Sequence, residues 1–229
     1  MLKDVDNRAA ISFHDRLASG WEDEYKSDIF GVRLKVLSDL IPGDLRGRAW
    51  LDAGCGTGTI SRWLAVERGA SVLAIDGSDR MLSHALPAGG VEYRKADIVW
   101  TGLPDQSCDG IVCSSVLEYL PFPEAALEEF HRVLKPGGVL LASVPNRVLS
   151  VRIPLVLIYW LTRSLGTKRR FAYLDYSRHS YSAGEFRAVL GDNGFATERV
   201  VEFGRLGLPF GITVSPSGTL LMALARRLS

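Results

Sequence analysis

The sequence of 229 residues lacks several features that would assign it to a specialised class of protein. It has only three cysteines, Cys55, Cys108 and Cys113, without the spacing of a metal site or the even count of a disulfide framework. No run approaches the ~20 apolar residues that span a bilayer, and we expect no secretory signal because the N-terminus is charged. The net charge of +1 indicates neither an acidic nor a nucleic-acid partner. These absences predict an ordinary globular protein of the reducing cytoplasm.

The pattern of residues 49–68 predicts a strand, a glycine-rich turn and a helix. The run Ala49–Ala53 is short and mostly apolar, which is typical of a strand buried on both faces. Gly54, Gly56 and Gly58 follow it, and a run with helical period comes next. Such a turn brings backbone N–H groups and the positive end of a helix to a ligand. The segment therefore predicts a nucleotide-like ligand.

The spacing of these glycines indicates which ligand to expect. A dinucleotide fingerprint places its third glycine five positions after its first, whereas Gly58 lies four positions after Gly54. The acid directly before the turn, Asp52, would repel a pyrophosphate and suits a cationic ligand. We therefore expect a nucleoside that carries an ammonium and a sulfonium group, namely S-adenosylmethionine.

Two more acids follow predicted strands. The strand 71–75 ends at Asp76, where a carboxylate is placed to accept both hydroxyls of a ribose. The strand 91–95 is followed by Asp97 and Ile98, which can reach the amine and the ring face of an adenine. Ligands of parallel sheets bind at the carboxyl ends of the strands. Three acids in register on successive strands therefore predict one binding site.

Strands and helices alternate over much of the chain. Further strands are predicted at 109–114 and 139–144, with a helix over 123–134 between them. This alternation predicts a parallel sheet with helices on both faces. The last two predicted strands, 196–202 and 220–225, have no helix between them and are expected to pair antiparallel at the sheet edge.

Two segments outside the alternation are candidates to cover the site. Residues 8–40 have helical period, and their aromatic residues Trp21 and Tyr25 either face the core or form a lid over the cofactor. Residues 146–181 interrupt the alternation, and we expect them to form a substrate cap. Within them, 148–170 is strongly apolar with basic residues. It either packs on the active site or on a second subunit, or lies on a membrane surface, and both interpretations favour a hydrophobic substrate.

Five stretches between residues 49 and 146 together resemble the class I S-adenosylmethionine-dependent methyltransferases. They are LDAGCGTGTISRWLA, AIDGSDRML, KADI, LPDQSCDGIVCSSVLEYL and RVLKPGGVLLASVPN, in the order and spacing of that family. The resemblance implies one Rossmann-like α/β domain over 1–229, with a seven-stranded, mostly parallel sheet of order 3-2-1-4-5-7-6. It implies S-adenosyl-L-methionine as cofactor and S-adenosyl-L-homocysteine as product. We expect a cytoplasmic monomer or homodimer.

The resemblance also implies roles for individual residues. It places the methionine moiety against the glycine turn, with Asp52 near its ammonium, and the ribose at Asp76. Arg33 lies in the segment that closes on the cofactor carboxylate in some relatives, although an exposed helix arginine is the alternative. The implied cofactor-binding set is Asp52, Gly54, Cys55, Gly56, Asp76, Gly77, Ser78, Met81, Asp97, Ile98, Ser114, Tyr25 and Arg33.

Within the family, the sequence is most similar to small-molecule O-methyltransferases such as those of ubiquinone biosynthesis. Those enzymes carry Glu-x-x-Glu-His after the fourth strand, associated with a divalent metal. The run here, 115–119, lacks one acid and the histidine, so we predict no metal. The expected acceptor is a small, hydrophobic phenol, alcohol or carboxylate. The alternative is a cofactor-binding protein without transferase activity that acts as a binding partner in a biosynthetic assembly. Nucleic-acid acceptors are not expected, since no Asn-Pro-Pro-Tyr-type motif follows the fourth strand.

A phenol or alcohol reaches the enzyme protonated, so its methylation requires a general base. We predict His179 as this base because it lies in the insertion, with Tyr181 or Tyr119 as helpers. The alternative is that His179 only forms hydrogen bonds within a lid. The remaining histidines, which are expected on helices, are His14, His84 and His131.

Overall fold

The computed structural model describes residues 8–21, 28–41, 43–148, 172–204 and 218–229, together with Ile153, Val156, Leu157 and Trp160. The predicted site residue Tyr25 and most of the apolar segment 148–170 lie outside the described residues.

A seven-stranded sheet with the order β3-β2-β1-β4-β5-β7-β6 forms the centre of the chain. The first five strands are parallel, and β7 runs antiparallel to both β5 and β6. This arrangement confirms the predicted order and the antiparallel final pair. The strands are β1 (Ala49–Ala53), β2 (Ser71–Asp76), β3 (Val91–Lys95), β4 (Cys108–Ser114), β5 (Leu134–Pro145), β6 (Phe195–Phe203) and β7 (Leu220–Arg227).

Helices connect the strands and precede the sheet. The α-helices are α1 (Arg8–Leu17), α2 (Asp28–Leu40), α3 (Thr59–Arg62), α4 (Asp79–Ser83), α5 (Pro123–Val133) and α6 (Ala183–Asp192). Short 3-10 turns cover Ala18–Gly20, Leu117–Tyr119 and Ala172–Asp175. The helix predicted after the glycine turn continues from α3 as a π-helical turn over Trp63–Glu67.

Some predicted boundaries differ from the observed ones. The predicted strand 139–144 is longer in the structure, because Leu134 pairs with Cys108 before an irregularity in register leads to the pairing of Gly110 with Val139. The sequence also predicts a helix from Gly77 through Ala85, and the observed helix is shorter and covers only α4. It begins where the Ser78 hydroxyl accepts a hydrogen bond from the Met81 N–H at 2.9 Å.

Buried apolar side chains lie on both faces of the sheet, as expected for parallel strands covered by helices. The alternation along β4 shows this directly, since Ile111 belongs to the cluster with Phe130 and Val112 to the cluster with Leu64. With both faces filled, the carboxyl edge of the parallel strands is where a ligand site can form.

Candidate active site

A cavity of about 700 Å³ opens at the carboxyl ends of β1, β2 and β4. Twelve of the thirteen predicted cofactor-binding residues line it, and the thirteenth, Tyr25, is outside the described residues. The lining members are Arg33, Asp52, Gly54, Cys55, Gly56, Asp76, Gly77, Ser78, Met81, Asp97, Ile98 and Ser114. The structure therefore brings together in one cavity residues that are far apart in the sequence. Their individual roles stay predictions.

The glycine turn forms one wall of this cavity and requires glycine for steric reasons. Gly54 and Gly58 have φ of +79° and +80°, a backbone conformation that residues with a side chain rarely adopt. A Cβ on Gly54 would lie 2.4 Å from Val116 Cγ2, and a Cβ on Gly58 would lie 2.3 Å from the Tyr93 hydroxyl oxygen. The N–H of Gly54 donates to the Ile75 carbonyl at 2.8 Å, which ties the turn to the end of β2.

Asp76 connects the turn to the next strand end through both carboxylate oxygens. Oδ2 accepts the Gly56 N–H at 2.8 Å, and Oδ1 accepts the Ser78 N–H at 2.8 Å. Burial of the side chain raises its pKa, although these two hydrogen bonds oppose the shift. The carboxylate is thereby held in one orientation at the cavity wall.

Asp52 is buried at the end of β1 and accepts a hydrogen bond from the Ser61 hydroxyl at 2.5 Å. Burial, with a contribution from the charge of Asp76, raises the pKa of Asp52 to about 7. A carboxyl with this pKa gains from a nearby cation, because the cation compensates the lost solvation of the charged form.

These observations fit the cofactor that the sequence predicts. The glycine turn forms one wall of the cavity, and the buried Asp52 and the partly buried Asp76 border the same cavity. Ile98 adds a buried apolar side chain beside the exposed Asp97, whose Oδ1 accepts the Val99 N–H at 3.1 Å. A cationic amino-acid moiety, a ribose and an aromatic base each find a suitable partner among these residues.

Arg33 is buried, so the alternative of an exposed helix arginine is wrong. Its side chain is 6% exposed, and Nη2 donates to the Ser115 hydroxyl oxygen at 3.1 Å. Ser115 has φ of +58°, and its N–H donates to the Ser143 hydroxyl oxygen at 3.0 Å. A non-glycine residue in this conformation is strained and requires such support. The arrangement places a guanidinium at the cavity, directly after β4.

The cavity extends past the glycine turn into a half lined by Glu118, Tyr119, Leu120, Tyr173, Leu174 and Leu220. Glu118 is 2% exposed, and burial raises its pKa to about 8 despite the nearby charge of Arg33. Its Oε2 has no hydrogen-bond partner among the residues that the structure describes. In the sequence, Glu118 is the one acid of the run 115–119 that matches the metal-associated motif, and its position in the cavity was not predicted.

The structure brings one of the three predicted catalytic residues to the cavity, namely Tyr119. His179 and Tyr181 are not among the described residues that line it. The rings of His179 and Tyr181 lie 6.2 Å apart, and Tyr181 stacks on the buried Phe186. The His179 N–H donates to the Glu118 carbonyl at 3.2 Å, so the contact with the site is through the backbone. Their catalytic roles remain predictions without a contact to the cavity.

His14 lines the cavity, although sequence reasoning ranked it below His179. Its ring lies edge-on to Tyr119 and to Trp21, at 4.9 and 5.7 Å between ring centroids. Nδ1 is 2.8 Å from the Ala10 carbonyl oxygen. The signal in the sequence was its position four residues after Ala10, which puts it beside the apolar stripe of α1.

The N-terminal segment and the insertion contact each other at the cavity. The ring of Phe13 on α1 stacks on Tyr176 at 4.5 Å, and Arg16 Nη2 donates to the Tyr176 hydroxyl oxygen at 3.1 Å. Tyr173 and Leu174, just before Tyr176, line the cavity. Two segments far apart in the sequence thus both contribute residues to the lining of one cavity.

Metal-ligating residues do not cluster in the part of the chain that the structure describes. No group of three or more His, Cys, Asp or Glu side chains there could hold a metal ion. That the reaction uses no metal ion remains a prediction from the sequence. No helix among the described residues is long and apolar enough to cross a membrane.

Comparison with known proteins adds independent findings. Residues 51–142 match a family model described as a methyltransferase domain. The chain is 35% identical over 158 residues to a ubiquinone biosynthesis O-methyltransferase of Pseudomonas syringae pv. tomato. That alignment covers 64% of this chain and 66% of the relative, so the chain spans just under two thirds of the length of this curated protein.

Solved structures show the same fold. An S-adenosylmethionine-dependent methyltransferase from Mesorhizobium loti is similar with a TM-score of 0.64 and 25% identity, over 86% of this chain and 98% of that one. A methyltransferase from Haloferax volcanii, solved in complex with the Trm112 activator, is similar with a TM-score of 0.73 and 18% identity. That match covers 94% of this chain and 98% of the other.

Proposed function

The chain belongs to the class I S-adenosylmethionine-dependent methyltransferases, and from this premise we propose that it methylates an oxygen of a small, hydrophobic acceptor, which is a phenol, an alcohol or a carboxylate. One observation carries the proposal. A single cavity joins the glycine turn and the acids Asp52 and Asp76 to a second half with largely apolar walls. Cofactor and acceptor can therefore meet without leaving the protein.

The half at the glycine turn is the proposed cofactor site. Asp52 would stand near the ammonium, Asp76 near the ribose, and Asp97 with Ile98 near the adenine. Arg33, buried beside Ser115, suits the carboxylate of the amino-acid moiety. Ile11 on α1 supports a covering role for the N-terminal segment, because its Cδ1 lies 3.0 Å from the point that a Cβ on Gly77 would occupy.

The other half is the proposed acceptor site. Leu120, Leu174 and Leu220 offer apolar surface, and Tyr119 and Tyr173 offer aromatic faces with a polar end. Glu118 and Thr219 add polar groups to the same lining. Pockets with mostly apolar walls and few polar groups are typical sites for small hydrophobic molecules. An oxygen acceptor is supported by the name of the relative from Pseudomonas.

The bound cofactor supplies an electrophilic methyl carbon, so the protein contributes position and electrostatics. Holding two reactants in line accounts for about 7–11 kcal/mol in good intramolecular models. The walls of the cavity provide such alignment, since the strand ends β1, β2 and β4 fix one side and the contact of Phe13 with Tyr176 fixes the other. A protonated acceptor still needs a base.

We assign covering roles to the two segments outside the alternation, within one domain over 1–229. Residues 8–40 would act as the lid of the cofactor half, and residues 146–181 as the cap of the acceptor half. The contacts of Phe13 and Arg16 with Tyr176 support this division, because they join the two covers above the cavity. We place the reaction in the cytoplasm, where the free thiols of Cys55, Cys108 and Cys113 stay reduced.

A peripheral membrane contact through 148–170 would bring a lipophilic acceptor to the cap. Ile153, Leu157 and Trp160 are exposed and follow the spacing of one helical face. The basic residues of this segment would meet anionic lipid headgroups. Sedimentation with vesicles of neutral lipid, with and without an anionic lipid, tests the contact. Trp160→Glu should weaken sedimentation with anionic vesicles, whereas Leu86→Glu, which changes an exposed leucine elsewhere, should not.

Binding and transfer are tested separately. Titration calorimetry with S-adenosylmethionine should show binding, and a screen of phenols, alcohols and carboxylates should show release of S-adenosylhomocysteine. Binding without release from any acceptor would favour the alternative of a binding partner without transferase activity. Light scattering on the same sample distinguishes a monomer from a homodimer.

A further inference from the structure

We infer that His14 is the general base of the transfer, and that its Nε2 takes the proton of the acceptor hydroxyl where the two halves of the cavity meet. This inference rests on the proposed function, since it concerns an acceptor that reaches the site protonated. It follows from the position of the ring in the cavity and from the hydrogen bond that orients it.

The imidazole of His14 lies at the boundary between the two halves. On the acceptor side, the ring of Tyr119 contacts it edge-on at 4.9 Å. On the cofactor side, its neighbour is Trp21, whose Nε1 lies 3.5 Å from the point that a Cβ on Gly56 would occupy. A proton acceptor for methyl transfer has to stand at this boundary, because the acceptor oxygen must be close both to the base and to the methyl carbon.

One hydrogen bond sets the tautomer of the ring. Nδ1 lies 2.8 Å from the carbonyl oxygen of Ala10, one turn earlier on α1. A carbonyl oxygen only accepts, so Nδ1 carries the hydrogen. In the neutral ring, Nε2 therefore has the free electron pair that takes up a proton.

The electrostatic surroundings favour a neutral ring that can become charged during the reaction. Burial lowers the pKa of His14 from its usual 6.5, while the Ala10 carbonyl and the charges of Asp76 and Asp15 oppose the shift. The ring is thus ready to accept a proton at neutral pH, and Asp76 stabilises the imidazolium that forms. On His14's own helix the other charged groups are Arg8, Asp15 and Arg16. The charged or titratable groups on the elements around it are Asp76, Asp79, Arg80, Glu118, Tyr119 and Tyr176.

The proton and electron pairs balance without a further reactant. As the acceptor oxygen bonds to the methyl carbon that the cofactor supplies, the carbon–sulfur pair goes to sulfur. The acceptor proton goes to Nε2 of His14, and the imidazolium later loses it to water. Ala10 holds the other ring nitrogen protonated throughout.

The other candidates for this role fit less well. Glu118 is buried and has a pKa of about 8, so it is mostly protonated at neutral pH and is a donor there rather than a base. His179 is not among the described residues that line the cavity.

The test compares His14→Gln with the parent protein and with His84→Gln, a control on an exposed histidine. Two model acceptors are used: an alkylcatechol, whose hydroxyl is about as weakly acidic as tyrosine with a pKa of about 10, and a nitrocatechol, which is ionised at neutral pH. His14→Gln should lower the rate with the alkylcatechol by about 10²–10⁴-fold. It should lower the rate with the nitrocatechol far less, because that acceptor needs no base. Binding of S-adenosylmethionine and the activity of His84→Gln should stay close to those of the parent.

A second measurement does not depend on transfer. Nitrogen-15 NMR of the cofactor-free parent, with His14 identified as the histidine whose signals persist in His84→Gln, His131→Gln and His179→Gln, should show a protonated Nδ1 and an unprotonated Nε2 at pH 7. A protonated Nε2 overturns the inference even where the variant fails to fold. Equal losses with both catechols, or no loss with either, overturn it as well. The failure of the proposed function gives a different result. In that case the parent binds the cofactor but methylates no acceptor. If only the inference about His14 is wrong, the parent is active and His14→Gln retains its rate.

Discussion

Gly54 and Val116 pack against each other in the cavity wall, so closely that position 54 has room for the hydrogen of glycine but not for a Cβ. A Cβ built on Gly54 would lie 2.4 Å from Val116 Cγ2 and 3.0 Å from Cγ1. The glycine turn after β1 and the segment after β4 therefore hold each other in place. This contact explains why glycine is needed at position 54 more directly than the approach of a ligand does.

Gly54→Ala should destabilise the protein and abolish cofactor binding. Gly102→Ala is the matched control, because Gly102 also has a positive φ, of +71°, but its Cβ would meet nothing within 4 Å. Both substitutions carry the left-handed backbone penalty of about 1–2 kcal/mol. Only Gly54→Ala adds overpacking, of about 1–3 kcal/mol. Urea unfolding measures the difference, and Val116→Ala should restore part of the stability lost in Gly54→Ala. Equal losses in the two glycine variants would contradict the steric argument.

Asp76→Asn should weaken binding of S-adenosylmethionine by about 10- to 100-fold, since hydrogen bonds to a charged group contribute about 1.5–3 kcal/mol. The amide keeps one oxygen, so either the Gly56 N–H or the Ser78 N–H loses its acceptor. Calorimetry at neutral pH measures the change. The control is Asp79→Asn, which removes an exposed acid that pairs with Lys95. If both variants bind like the parent, Asp76 does not hold the cofactor.

Binding of S-adenosylmethionine should tighten as the pH rises from about 5.5 to about 7.5. The pKa of Asp52 is raised to about 7, so the acid is mostly neutral at the low end and charged at the high end. Only the charged form attracts an ammonium, and the gain is at most tenfold per pH unit below the pKa. Calorimetry over this range measures it. Asp52→Asn should flatten the profile, and an unchanged slope in that variant would remove Asp52 from the ammonium site.

The effect of pH on the stability of the cofactor-free protein is opposite to its effect on binding, because the charged form of Asp52 lowers the stability. Because the folded state raises the pKa of Asp52 from about 4 to about 7, it binds the proton more tightly than the unfolded chain does. The contribution of Asp52 to stability is therefore complete below about pH 4 and is lost as the pH rises through about 7. Thermal unfolding of the parent and Asp52→Asn should show this difference in slope.

Chelation should leave methyl transfer unchanged. Serine and tyrosine occupy positions 115 and 119, where the quinone enzymes carry an acid and a histidine. Glu118 is mostly protonated at neutral pH and therefore a poor ligand for a hard cation. Release of S-adenosylhomocysteine is measured before and after EDTA treatment, and again with added magnesium. A loss of activity that magnesium restores would show that the acceptor site uses a metal after all.

Much of the fold could be predicted because its signals are local. The apolar runs, the glycine turn and the acid at each strand end are short stretches whose chemistry is complete within a few residues. The order of the strands came from the resemblance to a family. The start of β5 was missed because Pro136 and Gly137 are typical of a break, whereas pairing of Leu134 with Cys108 extends the strand across them.

The cavity residues that lie outside the alternating strands and helices could not be placed in the same way, because their positions depend on segments that meet only in the folded chain. His14 reaches the cavity because one side of α1 lines it, a placement that no local pattern indicates. Arg33 is polar on an amphipathic helix, and in its buried position it donates to Ser115, whose N–H donates to Ser143 in an unusual backbone conformation. His179 was favoured for its position in the insertion, and sequence proximity to a cap does not show which way a side chain faces.

Tyr176 has a consequence for the timing of turnover. Its ring stacks on Phe13 and its hydroxyl accepts from Arg16, so it connects the segment proposed as the lid to the segment proposed as the cap. We therefore expect that neither half opens by itself, and that spent cofactor and methylated product leave in the same opening event. Under that coupling, weakening the stack of Phe13 on Tyr176 would raise the rate of exchange in both halves of the cavity.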